Sequence, residues 1–501
     1  MNFFKKMLQI VLVTAVSVTV LTGCGSDQDS AKTIVRIGHN QSSDHPTHIA
    51  LTAFEEYIEE KLRDQYDVEV YPSELLGSQT DMVQLTQTGA IDFCVASNAI
   101  LETFNKIPLN VSVVTAAQRT FVAMSKFSLT AIPFFILAGN LMNQGGIAKR
   151  LVNFVNAILG KLPGSLLVTN VGANALFGAI SGSASAAAAA VGNMVSQGEE
   201  ELGYDKALCA ATNGASAPSG LLIPPSNALI TYSLVSGGTS VAALFLAGYI
   251  PGIIWAVCCI VVAIIIAKKK GYKGTEGSFS FGNLGKATLE ALPSLSLIVV
   301  VIGGIVGGIF TATEGSAIAV VYALILGILY KNITWKSFIE ILIDSAKMSG
   351  MIVFLIGVSN ILSWVMAFTQ IPQAISAVLL GITSNKYILL LIMNIILLLA
   401  GTFMDVTPAI LIFTPLFLPI VTGFGMSPVH FGLMLTYNLC IGNITPPVGN
   451  TLFVAIKVGK TTLAQVIPYM LMYYAAILAG LLLVTYIPAI SMALPQMAGL
   501  I

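Results

Sequence analysis

Two stretches far apart in the chain set oxygen-bearing side chains beside paired prolines inside long apolar segments: Gly220-Leu221-Leu222-Ile223-Pro224-Pro225-Ser226-Asn227 and Gly442-Asn443-Ile444-Thr445-Pro446-Pro447-Val448-Gly449-Asn450. A proline pair strips donors from the backbone and cannot continue a helix. Each segment must therefore unwind at membrane depth, which lipid tolerates only where the backbone lines a cavity. Unwound backbone offers carbonyls, hard donors suited to a desolvated cation, while hairpin tips offer hydroxyls and free N–H groups to an anion. In this setting they would coordinate ions and solutes.

In the first half the cation candidates are Ser181 and Ser183 at a hairpin tip, the backbone near Gly220, Ile223 and Pro225, and the Asn227 side chain. The second half offers Thr402 and Asp405 at its tip, with Gly442, Thr445 and Pro447; Gly308 and Thr311, just before another span, would complete that second site. Ser185, Thr407, Asn443 and Asn450 are the solute candidates. Asp405 is the sharpest of these, because a carboxylate at hydrocarbon depth costs roughly 2.5–3.5 kcal/mol on insertion scales and so faces a cavity or a cation. The competing reading of Asp405 is an acid bonded to backbone donors at the tip. Glu314, at a loop, reads as a helix cap rather than a ligand. From Ser181 to Ala190, close helix packing by small residues competes with ion contact.

The elements that must position these residues follow from composition. Hydrophobic residues make up 55% and charged residues 10% of the 501, with a mean hydropathy of +0.85, against about 25% charge in a soluble domain. The chain is therefore mainly a polytopic all-α membrane protein. Apolar runs between charged stops predict spans near 127–143, 239–267, 287–310, 314–330, 346–369 and 463–490. They also predict re-entrant hairpins at 164–196 and 386–422 and broken spans at 206–235 and 428–456. The order from 127 to 267 recurs from 346 to 490. With the N-terminus outside, the inner segments hold 14 Lys and Arg and the outer loops after residue 144 hold only Lys386. That positive-inside bias emerges only if both hairpins re-enter without crossing, from opposite faces, as an inverted repeat requires.

The N-terminal part differs. The first 110 residues carry 14 of the 24 acids and 7 of the 24 Lys and Arg. Lys5 and Lys6 precede an apolar run from Met7 to Val20 and then Leu21-Thr22-Gly23-Cys24, which resembles a bacterial lipobox; the resemblance implies a signal peptide over 1–23 and lipid on Cys24, and the competing reading is an uncleaved signal anchor. Strands near 34–37, 68–70 and 91–96 with helices at 46–63 and 80–88 predict a small βαβαβ unit. His39, His45 and His48 lie at its first strand-to-helix turn and read as solvated. No Walker sequence, zinc-type spacing or visible nucleophile pair occurs. Lys268 to Lys270 read as a topology anchor facing lipid rather than a nucleic-acid patch.

Ile37-Gly38-His39-Asn40, Asp44-His45-Pro46, Tyr71-Pro72, Leu76-Gly77 and Gly89-Ala90-Ile91-Asp92 resemble the start of a TRAP (tripartite ATP-independent periplasmic) solute-binding protein, a partial lobe over 24–110. From about residue 112 to 501 the chain is similar to the large membrane subunit of TRAP transporters. The residues that carry this likeness are Gln118-Arg119-Thr120-Phe121, Ala131 to Gly139, Gly145-Gly146-Ile147-Ala148, Ser181-Gly182-Ser183-Ala184, Phe310 to Glu314 and the two proline pairs. That subunit normally opens with two further spans, whose place the binding-protein fragment takes. The resemblance implies Na⁺-coupled uptake of a small organic acid, C4-dicarboxylate or sialic-acid-like, by elevator-type alternating access in the bacterial inner membrane. The partners it implies are a small TRAP membrane subunit and a complete periplasmic solute-binding protein, with Na⁺ as coupling ion and no other cofactor or metal. The alternatives are a membrane-tethered binding or interaction protein and an inactive truncated hybrid.

Overall fold

The computed structural model describes residues 32–62, 65–96, 109–274, 281–383 and 385–501. Residues 1–23, expected to be a signal peptide, and Cys24, the expected lipid site, lie outside the described residues. The chain divides into two compact units, Met1–Ile107 and Pro108–Ile501.

In the first unit the order is β1 (Thr33–His39), α1 (Pro46–Leu62), β2 (Tyr66–Tyr71), α2 (Gln79–Gln87) and β3 (Phe93–Val95). The strands form a parallel sheet in the order β2-β1-β3. Ile37, Val68 and Ile58 close its small core against α1. Ser78 and Asp81 cap α2 reciprocally, satisfying backbone donors that a helix start leaves open. The histidines are not all solvated as expected. His39 ends β1 fully buried, its Nε2 3.0 Å from His48 Nδ1 on the first turn of α1. Because the Gln41 N–H donates to His39 Nδ1 at 3.2 Å, the His39 proton sits on Nε2 and is donated to His48.

The second unit is helical. It runs through α3 (Leu109–Met124), a short turn at Phe127–Thr130, α4 (Ala131–Gln144), α5 (Ile147–Leu159), α6 (Ser165–Ser181), α7 (Ala184–Glu201), α8 (Lys206–Ser216), α9 (Ser219–Leu222), α10 (Asn227–Val235) and α11 (Val241–Lys270). It continues through α12 (Phe281–Val306), α13 (Ala312–Leu329), α14 (Trp335–Phe368), α15 (Ile371–Ile382), α16 (Lys386–Gly401), α17 (Val406–Gly423), α18 (Pro428–Gly442), α19 (Asn450–Val458), α20 (Leu463–Tyr486) and α21 (Ala489–Met497). Among the described residues six helices are long and apolar enough to cross a membrane, or seven when α3 and α4, bent by 57°, count as one. α14 starts well before the expected residue 346. Glu340, Asp344 and Lys347 stop a hydropathy run but not a helix, and Thr334 with Ser337 caps its true start.

Two hairpins and two broken helices stand where the apolar pattern predicts them. The pair α4–α5, hairpin α6–α7, broken helix α8–α10 and closing helix α11 recur as α14–α15, α16–α17, α18–α19 and α20. The two sets follow the same order along the chain, the arrangement an inverted repeat requires. The first arm of each hairpin packs on the broken helix of its own repeat, α6 on α8 and α9, and α16 on α18. The second arm packs on the other repeat's half-helix, α7 on α19 and α17 on α10.

Candidate functional site

Both breaks are built by proline chemistry and held open by neighbours. α9 ends at Ile223 in extended backbone, the Pro224–Pro225 and Pro446–Pro447 bonds are both cis, and Ser226 restarts the helix by accepting the Leu229 N–H at 3.4 Å. The Ser226 hydroxyl also donates to the Leu221 carbonyl. This first break lies on a glycine face of α11, where a Cβ on Gly248 would come within 2.2 Å of the Leu222 carbonyl oxygen. The second break is held by a side chain instead: Tyr474 on α20 donates to the Ile444 carbonyl at 2.6 Å. Thr445 donates to the Ile441 carbonyl at 2.7 Å, and the Thr451 N–H reaches back across the break to the Asn443 carbonyl at 3.2 Å.

The first hairpin turns at Gly182, whose φ of +62° excludes most side chains. Ser183 caps α7 by accepting the Ala186 N–H at 3.3 Å, and Ser181 lies with its backbone against Gly139 of α4, where a Cβ would sit 2.6 Å from the Ser181 carbonyl oxygen. A Cβ on Gly182 would come 2.9 Å from Asn227 Nδ2, so tip and break touch. Ser185 Oγ lies 3.5 Å from Thr451 Oγ1, which joins the first tip to the second break. At the second tip the Val448 N–H donates to the Thr402 carbonyl at 3.3 Å. Asn227 Oδ1 and Asn443 Oδ1 are both buried without a hydrogen-bond partner.

Asp405 caps α17, its Oδ1 accepting the Val406 N–H at 2.9 Å, and it is exposed. Thr407 is half-buried on α17 and Asn450 is exposed at the start of α19. Gly308 and Thr311 are not brought to the tips. Thr311 lines a cavity with Lys126, Ser128, Ser233 and Gly237 at the far end of α10, and Gly308 is exposed. There Thr311 and Glu314 cap α13 reciprocally, the role expected of Glu314.

Several positioning residues were not singled out from sequence. Gly178 of α6 and Gly220 meet backbone to backbone, and Gly401 of α16 meets Gly442 in the same way. Asn174 Nδ2 of α6 donates to Asn213 Oδ1 and Ser216 Oγ on α8, both at 2.9 Å. In the second repeat Asn438 Nδ2 of α18 donates to Asn394 Oδ1 of α16 at 2.8 Å, and Asn394 Nδ2 to Thr485 Oγ1 at 3.1 Å. The available signal was an amide in an otherwise apolar helix, which demands a partner.

Away from the tips, Asp205 joins three helices. It caps α8, accepts the Lys270 ammonium at 2.6 Å and accepts the Tyr469 hydroxyl of α20 at 2.7 Å. Burial works to raise its pKa, but Lys270, Tyr469 and the Leu208 and Ala207 N–H groups outweigh that and hold it at about 2.

Residues 82–490 match the family described as the tripartite ATP-independent periplasmic transporter, DctM component, and residues 37–113 match the bacterial extracellular solute-binding protein, family 7. The C4-dicarboxylate TRAP transporter large permease protein DctM of Rhodobacter capsulatus is 37% identical over 80% of this chain and 93% of its own length. The solved Alcanivorax borkumensis YdaH transporter is similar in fold at 16% identity, with a TM-score of 0.52 over 76% of this chain and 89% of that one. A TRAP periplasmic solute-binding protein from Anaerococcus prevotii, solved with bound D-glucuronate, is 78% identical over 15% of this chain, with a TM-score of 0.15; that stretch spans 24% of the binding protein. The chain thus belongs to the DctM family of TRAP transporter large permeases, joined to an N-terminal fragment of a TRAP solute-binding protein.

Proposed function

We propose that this chain moves a small organic acid, C4-dicarboxylate or sialic-acid-like, together with Na⁺, by carrying the hairpin tips and broken helices across the membrane against a scaffold. The observation that carries this reading is the pair of buried, unpartnered oxygens, Asn227 Oδ1 and Asn443 Oδ1, at the two breaks. A buried amide oxygen without a donor costs stability unless a ligand completes it: at the first break the Asn227 oxygen, in an unwound membrane segment, suits a hard cation, and at the second the Asn443 oxygen would meet the solute. Ser181, Ser183 and the backbone of Gly220, Ile223 and Pro225 would complete the first cation site with Asn227. Thr402, Asp405, Gly442, Thr445 and Pro447 would form the second. Ser185, Thr407, Asn443 and Asn450 would face the solute.

A small TRAP membrane subunit and a complete solute-binding protein would serve as partners, since one parallel three-stranded sheet has no second lobe to close on a ligand. The lysine-rich end, Lys268 to Lys270, would face the cytoplasm of a bacterial inner membrane, leaving the N-terminal unit outside and Cys24 lipidated.

The test is uptake of labelled succinate, sialic acid and D-glucuronate into proteoliposomes holding this chain, the small subunit and an intact binding protein, with and without an inward Na⁺ gradient. Gradient-dependent uptake of one acid, lost in Asn227→Ala and Asn443→Ala, is expected. Equal uptake with and without Na⁺ removes the coupling.

A further inference from the structure

Two turns occupy matching places in the two repeats of the permease unit. Between α7 and α8, Leu202-Gly203-Tyr204-Asp205 reverses the chain with Gly203 at φ +67°, and the Tyr204 N–H returns to the Glu199 carbonyl at 2.9 Å. Between α17 and α18, Phe424-Gly425-Met426-Ser427 does the same with Gly425 at φ +75°, and the Met426 N–H returns to the Val421 carbonyl at 3.0 Å. Asp205 and Ser427 are the N-caps that follow. The backbone is repeated; the side chains are not.

At the first turn the space is shut. Tyr204 stacks on Tyr272, two residues past the end of α11, with ring centres 4.2 Å apart and planes 10° from parallel, and Asp205 neutralises Lys270. At the second turn, Met426 replaces the first tyrosine and Pro488, two residues past the end of α20, stands in the place of the second. A cavity of about 400 Å³ is left between them. Its walls are chiefly apolar, among them Leu389, Leu390, Phe424 and Met492. Lys386 lines the same cavity, and among the described residues no acid lines it and no acid pairs with Lys386. His430, also in the wall, donates its Nε2 proton to the Val484 carbonyl at 2.9 Å.

We propose that this cavity binds an amphipathic monocarboxylate, its apolar body between the hairpin base and α21 and its carboxylate on Lys386. The volume falls within the roughly 300–1,000 Å³ of small-molecule sites, where apolar walls supply affinity and one charged group fixes orientation. The Lys386 ammonium, 5.3 Å over the Tyr387 ring in the same wall and without an acid partner among the described residues, selects an anion over a neutral chain of equal length. The occupant would touch both arms of the second hairpin together with the ends of α18 and α20. The site is independent of the solute site at the tips.

The experiment is equilibrium binding of radiolabelled decanoate to the full chain in nanodiscs, with empty nanodiscs subtracted and decanol as the neutral competitor. One saturable site per chain is expected. Lys386→Gln should weaken it about tenfold and Lys386→Arg should restore it, decanol should compete at least about tenfold less well than decanoate, and Ala489→Trp should remove the site by filling it. Thermal midpoint and elution profile check the folding of Ala489→Trp; if it fails to fold, the Lys386 pair decides. Equal binding by wild type and Lys386→Gln, or equal competition by decanol, overturns the proposal. A phospholipid seen by native mass spectrometry on the wild type, lost from Ala489→Trp and not displaced by decanoate, overturns it in favour of bilayer lipid.

Discussion

Gly178 and Gly220 meet with no side chain between them: a Cβ on Gly220 would lie 2.2 Å from the Gly178 Cα, and one on Gly178 would lie 2.6 Å from the Gly220 Cα. The second repeat has the same contact, with a Cβ on Gly442 2.4 Å from the Gly401 carbonyl carbon. Each contact sits beside a tip and a break, so it sets how closely the two approach. A Cβ on Gly401 would be only 3.3 Å from the Gly442 Cα, an approach that a small shift relieves.

Adding a methyl group should therefore rank the four positions. Gly178→Ala, Gly220→Ala and Gly442→Ala each force backbone apart and should destabilise by about 1–3 kcal/mol, the usual cost of overpacking. Gly401→Ala should cost the least. Thermal midpoints in detergent and uptake by the reconstituted system check this order.

The amide pairs make a second test. In Asn438→Leu, Asn394 Oδ1 loses its donor in a fully buried place, at a cost of about 1–3 kcal/mol. Asn394→Leu combined with Asn438→Leu should recover part of that loss, because neither amide is then stranded; the buried Thr485 hydroxyl, which loses its Asn394 donor, keeps the recovery partial. A double-mutant cycle on thermal stability reads the coupling; strict additivity would sink it.

Asp205 gives a pH prediction with a definite sign. Its folded pKa of about 2 lies below the ordinary carboxylate value of about 3.9. Its contribution is present in full above the ordinary value and is lost as pH falls from there towards 2. Between pH 5 and 8 the melting temperature should thus carry no slope from this group. Asp205→Asn, which removes the charge but keeps cap acceptors, should cost about 1 kcal/mol at neutral pH.

His39 works in the opposite range. Burial, then the neighbouring His48 and His45, lower its pKa, so the folded unit resists protonation that the unfolded chain accepts near pH 6.5. Its contribution is complete above that value and is lost as pH falls through it. Hydrogen exchange on the full chain should show β1 opening more readily at pH 5.5 than at 7.5, and His39→Phe should flatten the difference.

The hairpins and breaks were legible because proline and charge punctuate apolar sequence strongly. Pro224-Pro225 and Pro446-Pro447 cannot lie inside a helix, and a lysine cannot be left in lipid unpaired. The early start of α14 was hidden, since Glu340, Asp344 and Lys347 end a hydropathy run, while Glu340 and Lys347 are good helix formers and one Asp344 does not stop a helix. The burial of His39 was hidden too, because it depends on α1 folding over the end of β1. Thr311 lay next to a span in sequence, yet α13 leaves it at the far end of α10. Proximity along the chain carried no information about depth.

α7 rests on α19, and α17 rests on α10, so neither half of the permease owns all the surfaces it needs. A gene split within the loop between α11 and α12 should yield two polypeptides that accumulate only when made together. Selection on either half would then act through its fit to the other, which keeps the two copies changing in step.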